Sequence, residues 1–177
     1  MPLLLGLALA AVPVLAGLPL SRIGFRRWRG WTRTEKSYFL QVVLIANIVF
    51  PIVLAAPLRN RIVESGAAST LTGLFVPYLF YGFYQEVVYR GMVQLELSRR
   101  WGATAGILVA NLLYTFGPLH WNYFTSTLGS AGPMFGSIFA IGLLFGLVFD
   151  RSRNLWLVTV FHAIGNAYIL AGLSGRV

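Results

Sequence analysis

The chain contains no cysteine, so disulfides, thiolate-held zinc and cysteine nucleophiles are excluded. Charge is also scarce. Only 11% of the 177 residues are Asp, Glu, Lys or Arg, where a soluble globular domain carries about 25%. Five residues are acidic and two are histidine, which leaves few side chains able to move protons. Linkers, low-complexity tracts and internal repeats are missing as well, so residues 1–177 read as a single domain. What fills the chain is apolar: 57% of it is hydrophobic and the mean hydropathy is +0.72. That composition predicts an integral membrane protein. The net charge of +9 would suit a nucleic-acid binder, but the basic residues lie between apolar runs. There they orient helices and meet anionic headgroups, so the expected partner is the lipid bilayer and no nucleic acid is expected.

Uncharged stretches of about 20 residues suffice to cross a bilayer as helices. They run from Met1 to about Leu20, from Ser37 to Leu58, and from near Ser65 to Gln85 with a helix end near Leu97. Trp101–Phe149 is divided by Pro118 and the turn "HWNYFTSTLGSAGP" into two more, and the last runs from Asn154 to about Leu173. The expectation is an all-α, polytopic bundle of about six transmembrane helices. Met1–Leu20 lacks a basic start and a small-residue cleavage site, so it reads as a span rather than a signal peptide.

Basic residues sit in alternate loops: Arg22, Arg26, Arg27, Arg29, Arg33 and Lys36 in the first, Arg99 and Arg100 in the third, Arg151 and Arg153 in the fifth. The other loops hold only Arg59 and Arg61, which predicts cytoplasmic odd loops and both termini outside. Trp28, Trp31, Trp101 and Trp156 would mark the inner surface, and Trp121 and Tyr123 the outer one. Gly132, Gly136, Gly142 and Gly146 form two small-xxx-small pairs, read as helix packing.

Against this background the stretch "YGFYQEVVYRG", Tyr81–Gly91, stands out because it carries charge where charge is costly. The polar residues expected at depth are Asn47, Gln85, Glu86, Arg90, Asn111, His120, His162 and Asn166. Glu86 and Arg90 are four apart and share a helix face, as do His162 and Asn166. A buried ion pair needs no catalytic role, and a membrane His or Asn often only bonds a neighbouring helix. Together, however, one carboxylate, two imidazoles and an amide are the parts of a hydrolytic site. The carboxylate can act as general base, an imidazole can hold water, and paired donors can stabilise an oxyanion.

Three motifs carry a family resemblance: "QEVVYR" (Gln85–Arg90) followed by Gly91, "FGPLH" (Phe116–His120) and "HAIGN" (His162–Asn166). In this order, each on its own span, they resemble the CAAX prenyl protease and bacteriocin-processing (CPBP, or Abi) family of intramembrane endopeptidases, over about Phe75–Leu170. The resemblance implies a glutamic-type intramembrane protease, described in older usage as a metalloprotease. Glu86 and His120 would then activate a water, His162 and Asn166 would form the oxyanion site, and Arg90 would pair with Glu86. The chain departs from the family at Gln85, where the first glutamate of the motif stands. An amide cannot take up a proton at neutral pH. Either Glu86 has the role with Gln85 orienting water, or the chain is a disabled member serving as a membrane binding, scaffold or immunity protein, or Gln85 is an introduced change. Because neighbouring helix positions point about 100° apart, Glu86 would need a rotated helix or a different water.

No cofactor is expected, with zinc held by Glu and two His as the alternative. The expected substrate is a membrane-associated peptide or protein: a prenylated or bacteriocin-like peptide, or a C-terminal anchor. The expected location is a bacterial plasma membrane. A small transporter is a third possibility, without an inverted repeat in its favour. Measured from their helix ends, Glu86, His162 and His120 fall at different depths, which leaves the side to which the site opens undecided.

Overall fold

The computed structural model describes residues 19–117, 120 and 131–173, together with Ala11 and Gly17. The first expected span, Trp121 and Tyr123 lie outside the described residues. The described chain is all-α, without strands. A short 3-10 turn, Trp28–Gly30, leads into helix α1, Arg33–Val53. α1 starts four residues before the Ser37 boundary because Thr32 and Glu35 form a reciprocal capping box, each side chain accepting from the other's backbone N–H at 3.1 and 2.7 Å. It ends before Leu58 because Leu54 leaves helical geometry, and α2, Ala55–Ser65, follows.

Beyond Gly66 the segments Ala67–Thr70, Leu71–Phe75, Val76–Glu86, Val87–Gln94 and Leu95–Trp101 join with helical dihedrals at every junction. Residues 67–101 are thus one rod, α3, in which Leu71–Phe75 and Val87–Gln94 are π-helical. Gly102 separates it from α4, Ala103–Phe116; α5, Ala131–Ser152, and α6, Leu155–Leu173, complete the described bundle. By length and composition, Arg33–Val53 and Gly132–Ser152 can cross a bilayer, while Ala103–Phe116 and Leu155–Ala171 are apolar but shorter. Six spans are therefore not established by the described helices. α3 falls short because Gln85, Glu86, Arg90 and Gln94 interrupt its apolar run.

α1 turns its apolar side chains outward: Leu44, Ile52 and Val53 are 62–70% exposed and only Ala46 is buried. Such a face is satisfied by lipid tails and would be a liability in water. The core lies where loop one meets the bundle, with Ile23, Val87, Phe145, Phe149, Leu155 and Val158 packed together. The basic loops gather at that same end. Arg26 donates to Glu35 Oε1 at 2.9 Å and to the Ser152 carbonyl at 3.3 Å, and Asn154 Nδ2 donates to Glu35 at 3.3 Å. Trp28 packs on Trp31 and Trp156 on Phe25 here, with ring centroids 4.7 and 4.8 Å apart. In the last turns of α3, Arg99 and Arg100 both pair with the Glu96 carboxylate.

The helix ends at this pole are staggered, which removes the depth conflict expected from the sequence. Gly91 lies against Leu155, so α3 runs well past the start of α6. From that shared level, Glu86 is about 8 Å and His162 about 10 Å up its helix at about 1.5 Å per residue. Of the four α5 glycines, only Gly142 and Gly146 have described atoms within 4 Å of an added Cβ; Gly132 and Gly136 have none. The packing reading is borne by the second pair, Gly142 and Gly146, among the described residues.

Loop one is docked through Gly24, whose φ is +101° and whose carbonyl accepts from Leu155 N–H at 2.9 Å. A Cβ there would lie 2.8 Å from the Phe149 ring. Gly24→Ala therefore combines backbone strain with a core clash and is expected to cost on the order of 2 kcal/mol. A drop in the thermal unfolding midpoint in detergent, beside an unchanged Gly30→Ala control with open space around it, is the check.

Candidate active site

Glu86 is fully buried on α3, at the point where the helix passes into its second π-helical stretch. π segments often mark functional positions, since they re-aim side chains within a helix. Its Oε1 meets His162 Nδ1 at 2.6 Å and Arg90 Nη1 at 3.3 Å. Its Oε2 is buried without a hydrogen-bond partner among the described residues. A buried carboxylate needs such compensation, and here it comes from one cation on its own helix and one imidazole across the α3–α6 contact. The two helices approach closely because Gly82 lies against the backbone of His162 and Ala163, where a Cβ would be 2.8 Å from Ala163 Cα.

Since a carboxylate only accepts, His162 Nδ1 is the donor to Glu86. Nε2 meets the Tyr114 hydroxyl, 3.3 Å away on α4, and accepts from it when the imidazole is neutral. Tyr114 touches two other site groups, His120 and Arg90. Its backbone carbonyl meets His120 Nδ1 at 2.7 Å, its ring packs edge-on against the His120 ring at 4.7 Å, and the Arg90 guanidinium lies 4.3 Å above its face. The carbonyl fixes the proton of His120 on Nδ1 and leaves the lone pair on Nε2.

Gln85 and Glu86 both face α6. Asn166 Nδ2 donates to Gln85 Oε1 at 3.0 Å, one helical turn beyond the Glu86–His162 contact, and Gln85 Nε2 is buried without a partner among the described residues. The six polar residues of the three motifs, Gln85, Glu86, Arg90, His120, His162 and Asn166, thus lie in one connected region of α3, α6 and the segment just after α4. One candidate stands apart, Asn47, whose Oδ1 accepts from the Tyr168 hydroxyl at 3.0 Å; Asn111 borders the site at Gly142 and donates to the Phe139 carbonyl at 2.9 Å.

The structure adds residues that the sequence reading did not single out. Arg90 Nη2 donates to the Gly142 carbonyl at 2.7 Å, and Gln94 Nε2 to the Gly146 carbonyl at 2.8 Å. Residues 86, 90 and 94 form an i, i+4 stripe, and 142 and 146 share the same spacing, so this ladder had a signal in the sequence. Tyr114 had none, being one aromatic in an apolar run. Among the described residues, no three His, Cys, Asp or Glu side chains gather in a way that could hold a metal ion.

A family model described as "Type II CAAX prenyl endopeptidase Rce1-like" matches residues 67–168, more than half of the chain and every motif residue. No curated protein and no solved structure matches the chain.

Gly142 is the tightest point of the site. An added Cβ would meet Asn111 Oδ1, lie 2.9 Å from the Tyr114 ring and 3.0 Å from Arg90 Nη2. Gly142→Ala is expected to destabilise the protein by about 1–3 kcal/mol through overpacking, whereas Gly136→Ala, in open space, leaves it unchanged. Paired thermal unfolding of the two variants tests the ladder.

Proposed function

The chain belongs to the type II CAAX prenyl endopeptidase Rce1-like family, hence to the membrane proteases of CAAX type, and from that premise we propose a metal-free glutamic mechanism centred on Glu86. The family acts on membrane-associated protein substrates. For this chain we infer hydrolysis of a peptide bond beside a membrane segment, such as a C-terminal anchor or leader peptide. The protein would form one integral domain of about six spans, with its basic end in the cytoplasm.

The observation that carries this reading is the asymmetry of the Glu86 carboxylate. Oε1 is held by His162 and Arg90, while Oε2 is buried and has no hydrogen-bond partner among the described residues. Oε2 is the atom offered to a water, and the lone pair on His120 Nε2 helps to orient it. Glu86 takes a proton as the water oxygen attacks the scissile carbonyl, and it returns that proton to the leaving amine when the C–N bond breaks. Both ring nitrogens of His162 are engaged, so we assign it to orienting Glu86. Asn166, whose Nδ2 has a second hydrogen, serves as the oxyanion donor. This revises the role that the family resemblance implies for His162.

A second reading, a disabled member that binds helices, has Gln85 in its favour. The two readings separate in a cleavage assay with the purified protein and a candidate membrane substrate. Under the proposal the chain cleaves, Glu86→Gln loses at least 100-fold, and a chelator has no effect. Cleavage only by Gln85→Glu would establish the disabled reading, and loss of activity on chelation would overturn the metal-free one.

Tyr114 supplies a further check that needs no substrate. Two histidines in the chain give two resolvable sets of imidazole 15N signals. Tyr114→Phe is expected to move the Nε2 signal of His162 and leave its Nδ1 in the proton-bearing position. Activity should fall about 10-fold, with the pH profile displaced.

A further inference from the structure

At the basic end of the bundle, lined by none of the Glu86-site side chains, lies a cavity of about 780 Å³. Three arginines from three different loops line it: Arg22 before α1, Arg99 at the end of α3 and Arg153 after α5. Ile23, Met92 and Leu95 give it an apolar wall. One carboxylate, Glu96, also lines it, but it is already bound by Arg99 and Arg100. Arg153 is paired likewise with Asp150 at 2.7 Å. Arg22 has no acidic partner among the described residues. The lining therefore carries an excess of two positive charges over an apolar surface.

We propose that this cavity binds one anionic phospholipid, with its phosphate among Arg22, Arg99 and Arg153 and an acyl chain along Ile23, Met92 and Leu95. Charge complementarity selects an anion, and the apolar wall selects one that carries hydrocarbon. Depth points the same way. Trp28 and Trp101 are 46% and 62% exposed at this end of the molecule, and exposed tryptophans settle at the headgroup level. Arg99 and Arg153 each use Nε and Nη2 on a neighbouring carboxylate or carbonyl, which holds each guanidinium plane in place. The Nη1 donors and the second Nη2 hydrogen of each guanidinium, outside these bonds, are then aimed for phosphate oxygens. Gly91, directly after Arg90, also lines the cavity. A lipid here would tie loops one, three and five to α3 next to the residue that neutralises Glu86.

The experiment is native mass spectrometry of the full chain released from mixed phosphatidylglycerol and phosphatidylcholine nanodiscs, with thermal unfolding measured in parallel. Wild type is expected to retain one phosphatidylglycerol at least fivefold over phosphatidylcholine, and to melt higher when that lipid is present. Arg22→Gln should reduce the preference at least threefold, and Arg22→Gln with Arg153→Gln should abolish it. Arg29→Gln, at the same end but outside the cavity, should retain it. Equal losses for Arg22→Gln and Arg29→Gln would mean general attraction to a basic surface and would overturn the proposal. So would displacement of the lipid by millimolar inorganic phosphate, which would make this a soluble-anion site. Arg22 is exposed, so the single variant reads the site even where the double variant fails to fold.

Discussion

A fully buried carboxylate sets the terms for the rest of this structure. Removing a charge from water costs several kcal/mol even after relaxation, and Glu86 recovers that cost through Arg90 and His162. The compensation then spreads. Arg90 is itself buried, so it needs an acceptor, and it finds the Gly142 carbonyl. That carbonyl is reachable only where α5 has no side chain, which makes Gly142 a requirement of the charge pair and not merely of helix packing. The guanidinium plane rests on Tyr114, and Tyr114 in turn fixes both histidines. One buried charge thus specifies residues on four helices.

Position along the bundle follows from a second constraint, the docking of the basic loops at one pole. Gly24 receives Leu155 into the core, and Gly91 lies against the same leucine. These contacts set α3 and α6 in register, so Gln85 meets Asn166 while Glu86 meets His162. The loops that bear positive charge therefore do more than orient the protein in a bilayer. Their packing determines the alignment on which the polar contacts at depth depend.

Helical class, apolar character and the three polar motifs were legible in the sequence, because each is a local pattern: hydropathy over a span, or spacing of four on a helix. The start of α1 was legible too, in the Thr32–Glu35 capping box, although the hydropathy boundary at Ser37 passed over it. Stagger between helices leaves no local trace, and for that reason depths measured from helix ends placed Glu86 and His162 apart. Tyr114 was invisible for a related reason. An aromatic in "LLYTF" looks like any lipid-facing or core residue until the fold brings both histidines to it. The expectation that Glu86 would need a rotated helix came from the regular 100° step. The polar contacts of α3 instead spread across α6, Gln85 to one residue and Glu86 to another a turn away, and the π-helical stretch starts where that regular step would next apply.

The neutral residue at position 85 makes electrostatic sense beside this geometry. Asn166 donates to Gln85 Oε1, a bond that a carboxylate would accept equally well, so the amide is not demanded by hydrogen bonding. It is favoured by charge. With Gln85, the α3 pair Glu86 and Arg90 is neutral in sum, and the burial cost is met by the single cation present. Adjacent carboxylates at 85 and 86 would place two negative charges against one arginine, and one of them would have to hold a proton at neutral pH. Two adjacent acids would face one arginine between them, whereas with Gln85 a single carboxylate faces a single guanidinium. Under the proposed mechanism Gln85 leaves Glu86 as the one carboxylate available to serve as the base.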